Sequence, residues 1–218
     1  MLLNILGRGY SAAELIVTLL TYALALIIAL TMHEYAHAWM ALKQGDPSAK
    51  MAGRLTINPA RHFDPLGLLC MLLVGFGWAK PVPVNPFNYR NFRRGNFLVS
   101  IAGITVNFIL GILFSLGFYL FAAYGDPTSI WAFMGYSFFL YGMLFNFIFM
   151  VFNLLPIPPL DGYNMLVSVT KPNNGFMKFM RENGFVFLIL VILFAGYVVT
   201  PIAGFISDIF VKFWGLMF

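Results

Sequence analysis

The sequence has 218 residues, 61% of them hydrophobic and only 10% charged, with a net charge of +5. An ordinary soluble domain is about 45–50% apolar and about 25% charged, so this composition excludes a conventional soluble protein and indicates a polytopic membrane protein. The lone cysteine, Cys70, excludes an intrachain disulfide and any multi-cysteine metal site; beside such long apolar runs, the modest basic excess reads as membrane topology and not as nucleic-acid binding.

About 20 apolar residues cross the hydrocarbon core as a helix. The first such segment runs from about Ser11 to Lys43 and is ended by Gly45-Asp46-Pro47. It is longer than one crossing requires, so it tilts or projects. It is also too long for a signal peptide, with no small-residue cleavage site after it. A polar stretch follows, "GDPSAKMAGRLTINPARHFDPLG", in which "GRLTINP" alternates as a short exposed strand does. "LGLLCMLLVGFGW" is apolar over only about 13 residues, too short to span, and is expected to form a re-entrant or interfacial helix. The prolines of "AKPVPVNPFN" require an extended chain.

The second span is expected from about Phe97 to Tyr124, closed by Gly125-Asp126-Pro127. The third runs from about Ser129 to Leu155 and is ended by the prolines of "NLLPIPPLDG". The fourth starts near Gly184. Pro201 is expected to break it, giving one span plus a C-terminal interfacial helix in which Asp208 and Lys212 stand one turn apart; two spans is the alternative. The expected fold is an all-α polytopic membrane protein forming one integral-membrane domain over residues 1–218. It has about four transmembrane helices, a re-entrant or interfacial segment, a short cytoplasmic-side strand region and a C-terminal interfacial helix.

Basic residues set the orientation. Lys43, Lys50, Arg54, Arg61, Lys80, Arg90, Arg93 and Arg94 lie between the first and second spans, and Lys171, Lys178 and Arg181 between the third and fourth. The connection between the second and third spans has only Asp126. The positive-inside rule then places both basic loops in the cytoplasm and both chain ends outside, with Arg8 a weak signal to the contrary. The expected location is the cell membrane.

Within the first span stands "TMHEYAHAW". Residues four apart share one helix face, so His33 and His37 direct two imidazoles at one point, with Glu34 beside them. Ionisable groups at membrane depth are rare and mark function by default. H-E-x-x-H on a helix is a zinc-binding pattern in which the glutamate is the general base that takes a proton from water. The plain alternative is a chance match whose histidines bond neighbouring helices.

Catalytic zinc keeps three protein ligands and one position for water, so a third ligand is needed. Asp161, after the third span, is the leading candidate. His33 and His37 lie about 9–15 Å short of the end of their helix at about 1.5 Å per residue. To meet them, the chain after Leu155 must stay inside the membrane-embedded protein, as non-helical backbone lining a wet cavity. His62 and Asp64, in the first basic loop, are rivals. Glu14 and Asp126 lie at the wrong end. Among other polar residues, Asn153 is of the type that bonds helix to helix in membranes. Asn107 serves either function or helix packing, since Gly103 and Gly111 nearby suit close helix contact.

"HEYAH" in a membrane helix, followed by "NLLPIPPLDG" near the end of a later one, resembles the site-2 protease family of intramembrane zinc metalloproteases. "GRLTINPARHFDPLG", "GWAKPVPVNP" and "SIAGITVNF" resemble its compact prokaryotic branch. The resemblance runs from about residue 11 to 200. It implies His33, His37 and Asp161 as Zn2+ ligands, Glu34 as catalytic base, and Asn153 as a residue that holds the substrate or the oxyanion. It implies membrane-anchored protein substrates cut within or near the bilayer, and a site reached by water from the cytoplasm. No PDZ or CBS module is evident. Two other classes remain: a metal transporter, which would space its ligands along a pathway, and a non-proteolytic zinc-binding membrane scaffold.

Overall fold

A computed structural model describes residues 10–74, 79–171 and 174–218. Arg8, and residues 75–78 at the end of the short apolar segment, lie outside the described residues. The helices are α1 (Ala12–Gln44), α2 (Ser48–Met51), α3 (Pro65–Val74), α4 (Phe92–Tyr124), α5 (Ile130–Asn153), α6 (Asp161–Val169) and α7 (Gly175–Met217). Four of them, α1, α4, α5 and α7, are long and apolar enough to cross a membrane, as expected of a multi-pass membrane protein.

Each end of α1 has a chemical cause. At its start the Ser11 side chain accepts from the Glu14 N–H while the Glu14 carboxylate accepts from the Ser11 N–H, a capping box. Glu14 is therefore a cap. At its end Gly45 adopts φ 109°, the Asp46 N–H donates to the Ala41 carbonyl and the Gly45 N–H to Leu42, which satisfies the last carbonyls. One face of α1 carries Ala25, Ala29 and Ala36 against its neighbours; Ile16, Leu20 and Leu24, four apart, are exposed where lipid would lie.

The core is α1, α4 and α5, mutually packed. Helices α4 and α5 interlock through rings seated on glycines: Phe147 of α5 covers Gly111 of α4, and Phe114 of α4 covers Gly142 of α5. A Cβ at either glycine would overlap the ring, so these pairs set how closely the helices approach. Tyr22 of α1 meets Tyr141 and Phe145 edge-on, at 5.2 and 4.8 Å between centroids.

Two local expectations are corrected. "GRLTINP" forms no strand. The His62 ring N–H donates to the Thr56 carbonyl, the Thr56 hydroxyl accepts from the Asn58 N–H, and the Asn58 side chain caps a 3-10 turn at Pro59–Arg61. These local bonds take the backbone groups a ladder would need. One isolated bridge, Phe63 with Ala79, is all the pairing present among the described residues. Nor does Pro201 divide the last helix: α7 continues through it for 43 residues, starting nine residues before Gly184. At about 1.5 Å per residue it is about 65 Å long, roughly twice the hydrocarbon core, long enough to cross once and project.

Further local expectations can be compared with the structure. Helix α3 has 10 residues among those described, fewer than a crossing needs. Residues 80–85 form neither helix nor strand, with Asn85 in an extended conformation, and 154–160 leave the helix after α5.

Candidate metal centre

Helix α1 presents His33 and His37 one turn apart, both buried. Each imidazole donates through Nδ1–H. That of His33 goes to Asn107 Oδ1 at 2.6 Å and that of His37 to the Val99 carbonyl at 2.8 Å, both on α4. These bonds fix the tautomer, so both Nε2 lone pairs face inward. Gly103, on the same helix, lies directly behind the pair; a Cβ there would come within 2.5 Å of His37 Nε2 and 2.6 Å of His33 Cε1.

Asp161 arrives from the other side as the first residue of α6. The 154–160 segment turns back into the protein, burying Ile157 and Leu160. Gly162 then packs on the Leu154 and Leu155 carbonyls so closely that a Cβ would overlap them. The result is a triangle. His33 Nε2 and His37 Nε2 are 2.9 Å apart, and Asp161 Oδ2 lies 3.4 and 3.2 Å from them.

All three atoms are acceptors, and Asp161 Oδ2 is buried with no hydrogen-bond donor. Such a set repels itself unless a cation binds it. Two imidazole nitrogens and a carboxylate oxygen are a zinc donor set. Neighbouring donors of tetrahedral zinc, at about 2.0–2.1 Å from the ion, stand about 3.3 Å apart, close to the observed edges. The residues therefore fit zinc. Among the described residues this is one compact group of possible metal ligands, not a series along a pathway. Asp64 caps α3, accepting from the Leu66 and Gly67 N–H groups, and His62 is engaged with Thr56; neither joins the triangle.

The triangle forms one wall of a cavity of about 320 Å3. Glu34 and Asn153 line the same cavity. Glu34 Oε2 accepts from the Val82 N–H at 2.8 Å, which anchors the carboxylate to the proline-rich segment. Asn153 closes α5 and donates one Nδ2 hydrogen to the Phe149 carbonyl at 3.1 Å.

Over 187 residues the chain is 40% identical to "Putative zinc metalloprotease YwhC" of Bacillus subtilis, a match covering 84% of this chain and 82% of that protein. The chain belongs to the site-2 protease family of zinc metalloproteases. It is also 32% identical over 174 residues to "Putative zinc metalloprotease Rip2" of Mycobacterium tuberculosis and 31% identical over 173 residues to that of Mycolicibacterium smegmatis. Each of these matches covers 77% of this chain and 64% of the relative, so the chain spans just under two thirds of the Rip2 length. No protein-family model and no solved structure matches the chain.

Three features of this site-2 protease chain were not singled out from its sequence. Asn146 is buried in α5 and accepts from Asn107 Nδ2 at 2.8 Å. A carboxamide inside "YGMLFNFIF" was the available signal. The Val99 carbonyl and the Val82 N–H are backbone groups and leave no mark in a sequence.

Proposed function

We propose that the protein is an intramembrane zinc metalloendopeptidase of the H-E-x-x-H type that hydrolyses membrane-anchored protein substrates within or near the bilayer. One observation carries the reading: two imidazole lone pairs and a donor-free buried carboxylate converge beside a second carboxylate, inside a bundle of membrane-length helices. His33, His37 and Asp161 would hold the metal. Zinc, when bound, supplies Lewis acidity that makes water nucleophilic near neutral pH and polarises the scissile carbonyl.

Glu34 takes the proton of the attacking water and carries it to the leaving amine nitrogen. Its Oε2 is held by the Val82 N–H, so the carboxylate is oriented before water arrives. Asn153 has a second Nδ2 hydrogen beyond the one given to Phe149; it holds the substrate carbonyl as charge builds on its oxygen. The cavity beside the triangle gives water room at the site; we assign the side of the basic loops, from which that water comes, to the cytoplasm of a cell-membrane protein.

A reporter with a transmembrane anchor, reconstituted with the purified protein, tests this. Cleavage in or beside the anchor, lost on chelation and restored by zinc, is expected. A protein that cuts unstructured soluble peptides but leaves the anchored reporter intact would refute membrane-anchored substrates.

A further inference from the structure

A second cavity, of about 510 Å3, lies between residues 52–63 and 80–83. Its charged lining is Arg54, Arg61 and Lys80, with no acidic residue in its wall. The cavity is built by a paired backbone: the Phe63–Ala79 bridge and the Lys80 N–H donating to the His62 carbonyl join its two sides.

Arg54 is the unusual member. It is only 8% exposed, and one Nη2 hydrogen goes to the Lys80 carbonyl at 2.5 Å. Its Nε is buried with no acceptor. Among the described residues no carboxylate lies within ion-pair distance of Arg54, Arg61 or Lys80; the pairs found there join His33 and His37 to Asp161. A guanidinium cannot shed its proton in a protein, and a buried cation without a counter-charge is costly. The buried Arg54 lines this cavity beside the exposed Arg61 and Lys80, and an anion there would supply the counter-charge that Arg54 lacks.

We propose that this cavity binds a phosphate-bearing anion, either the headgroup of an anionic phospholipid or a soluble phosphate. Phosphate oxygens accept from the planar Arg54 donors and meet the Arg61 and Lys80 charges at the rim. Basic pockets beside membrane helices take anionic headgroups by this chemistry.

The test is displacement of a fluorescent phosphatidylglycerol from the purified full chain in neutral detergent. Competitors are unlabelled phosphatidylglycerol, phosphatidylcholine and inorganic phosphate. Phosphatidylglycerol should compete at least about tenfold better than phosphatidylcholine. Arg61→Gln and Lys80→Gln should each weaken it about fivefold, the worth of one cation at an anionic headgroup. Arg93→Gln and Arg94→Gln remove the same charge elsewhere, at the start of α4, and should change it less than about twofold.

Competition by inorganic phosphate as well as by phosphatidylglycerol would mark the bare phosphate as the recognised group, and competition by the lipid alone the whole headgroup; either supports the site. Arg54→Gln is measured beside its thermal unfolding, and if it misfolds, the exposed Arg61 and Lys80 variants decide. Equal losses at Arg93 and Lys80 would mean diffuse surface charge and overturn the proposal. So would equal competition by the two lipids with none from phosphate.

Discussion

The Nδ1–H of His33 points at Oδ1 of Asn107, 2.6 Å away across the interface of α1 and α4. Asn107 in turn donates to the Ala29 carbonyl at 3.2 Å and to Asn146 Oδ1 at 2.8 Å, and Asn146 donates to the Gly142 carbonyl at 2.8 Å. Two fully buried carboxamides thus tie three membrane-length helices to one histidine of the candidate metal centre. Partners of this kind typically contribute 10–100-fold in metal affinity. Asn107→Ala should weaken zinc binding by about that factor, measured by chelator competition. Asn107→Asp keeps an acceptor for His33 and should recover part of the loss. Equal zinc affinity in wild type and Asn107→Ala would show that packing alone holds the ring.

Gly162 tests how Asp161 is placed. Its Cβ position overlaps backbone carbonyls of residues 154 and 155, which cannot swing aside as a side chain can. Gly162→Ala should displace the start of α6 and lose zinc nearly as completely as Asp161→Ala. Gly175→Ala, where a Cβ meets nothing within 4 Å, should bind normally. Zinc per chain by elemental analysis separates the three; full metal in Asp161→Ala would remove that residue from the ligand set.

The three residues that the fold brings together as candidate metal ligands were legible because their signal is local: two histidines four apart, and an aspartate after a proline-broken helix. The spans were legible for the same reason, each being one apolar run. What was hidden depends on partners distant in sequence. Glu34 meets the Val82 N–H across 48 positions and His37 meets the Val99 carbonyl across 62, and no side chain announces either. The alternation of "GRLTINP" misled because Thr56, Asn58 and His62 bond one another locally. Pro201 misled because a helix in an apolar surrounding has no water to satisfy freed backbone groups, so it continues.

Asp46 joins the end of α1 to the proline segment that reaches Glu34. Its carboxylate accepts from the Asn85 N–H at 2.6 Å, the Asn88 side chain at 2.8 Å, and the Ser48 hydroxyl and N–H at 2.5 and 3.0 Å. Burial raises its pKa, but these bonds outweigh burial and hold it below the ordinary 3.8. A carboxyl depressed in the folded state stabilises fully above its unfolded value and loses that contribution as pH falls through the folded one. Asp46→Asn should lower stability by about 1–3 kcal/mol at neutral pH. In detergent melts the gap to wild type should narrow only below about pH 3.8. A gap unchanged at pH 2–3, on the order of one unit below that, would show that the charge is not what stabilises.

Orientation can be read by labelling. In a Cys70→Ser background, Arg54→Cys is buried and a poor probe, so Lys50→Cys and Thr128→Cys serve. A membrane-impermeant maleimide on intact cells should modify position 128 and reach position 50 only after permeabilisation. The reverse pattern would place the basic loops, and the access route to the site, outside the cell.

The proposed chemistry rests on Glu34 acting as base and not as ligand, and Glu34→Gln separates the two. The glutamine keeps an oxygen to accept from the Val82 N–H and nearly the same volume, so fold and packing should survive. It cannot accept a proton from the attacking water. The purified variant should carry about one zinc per chain and bind the anchored substrate, while turnover falls by about 10²–10⁴-fold. Loss of zinc together with activity would make Glu34 part of the metal shell, and wild-type cleavage rates with zinc in place would contradict the mechanism outright.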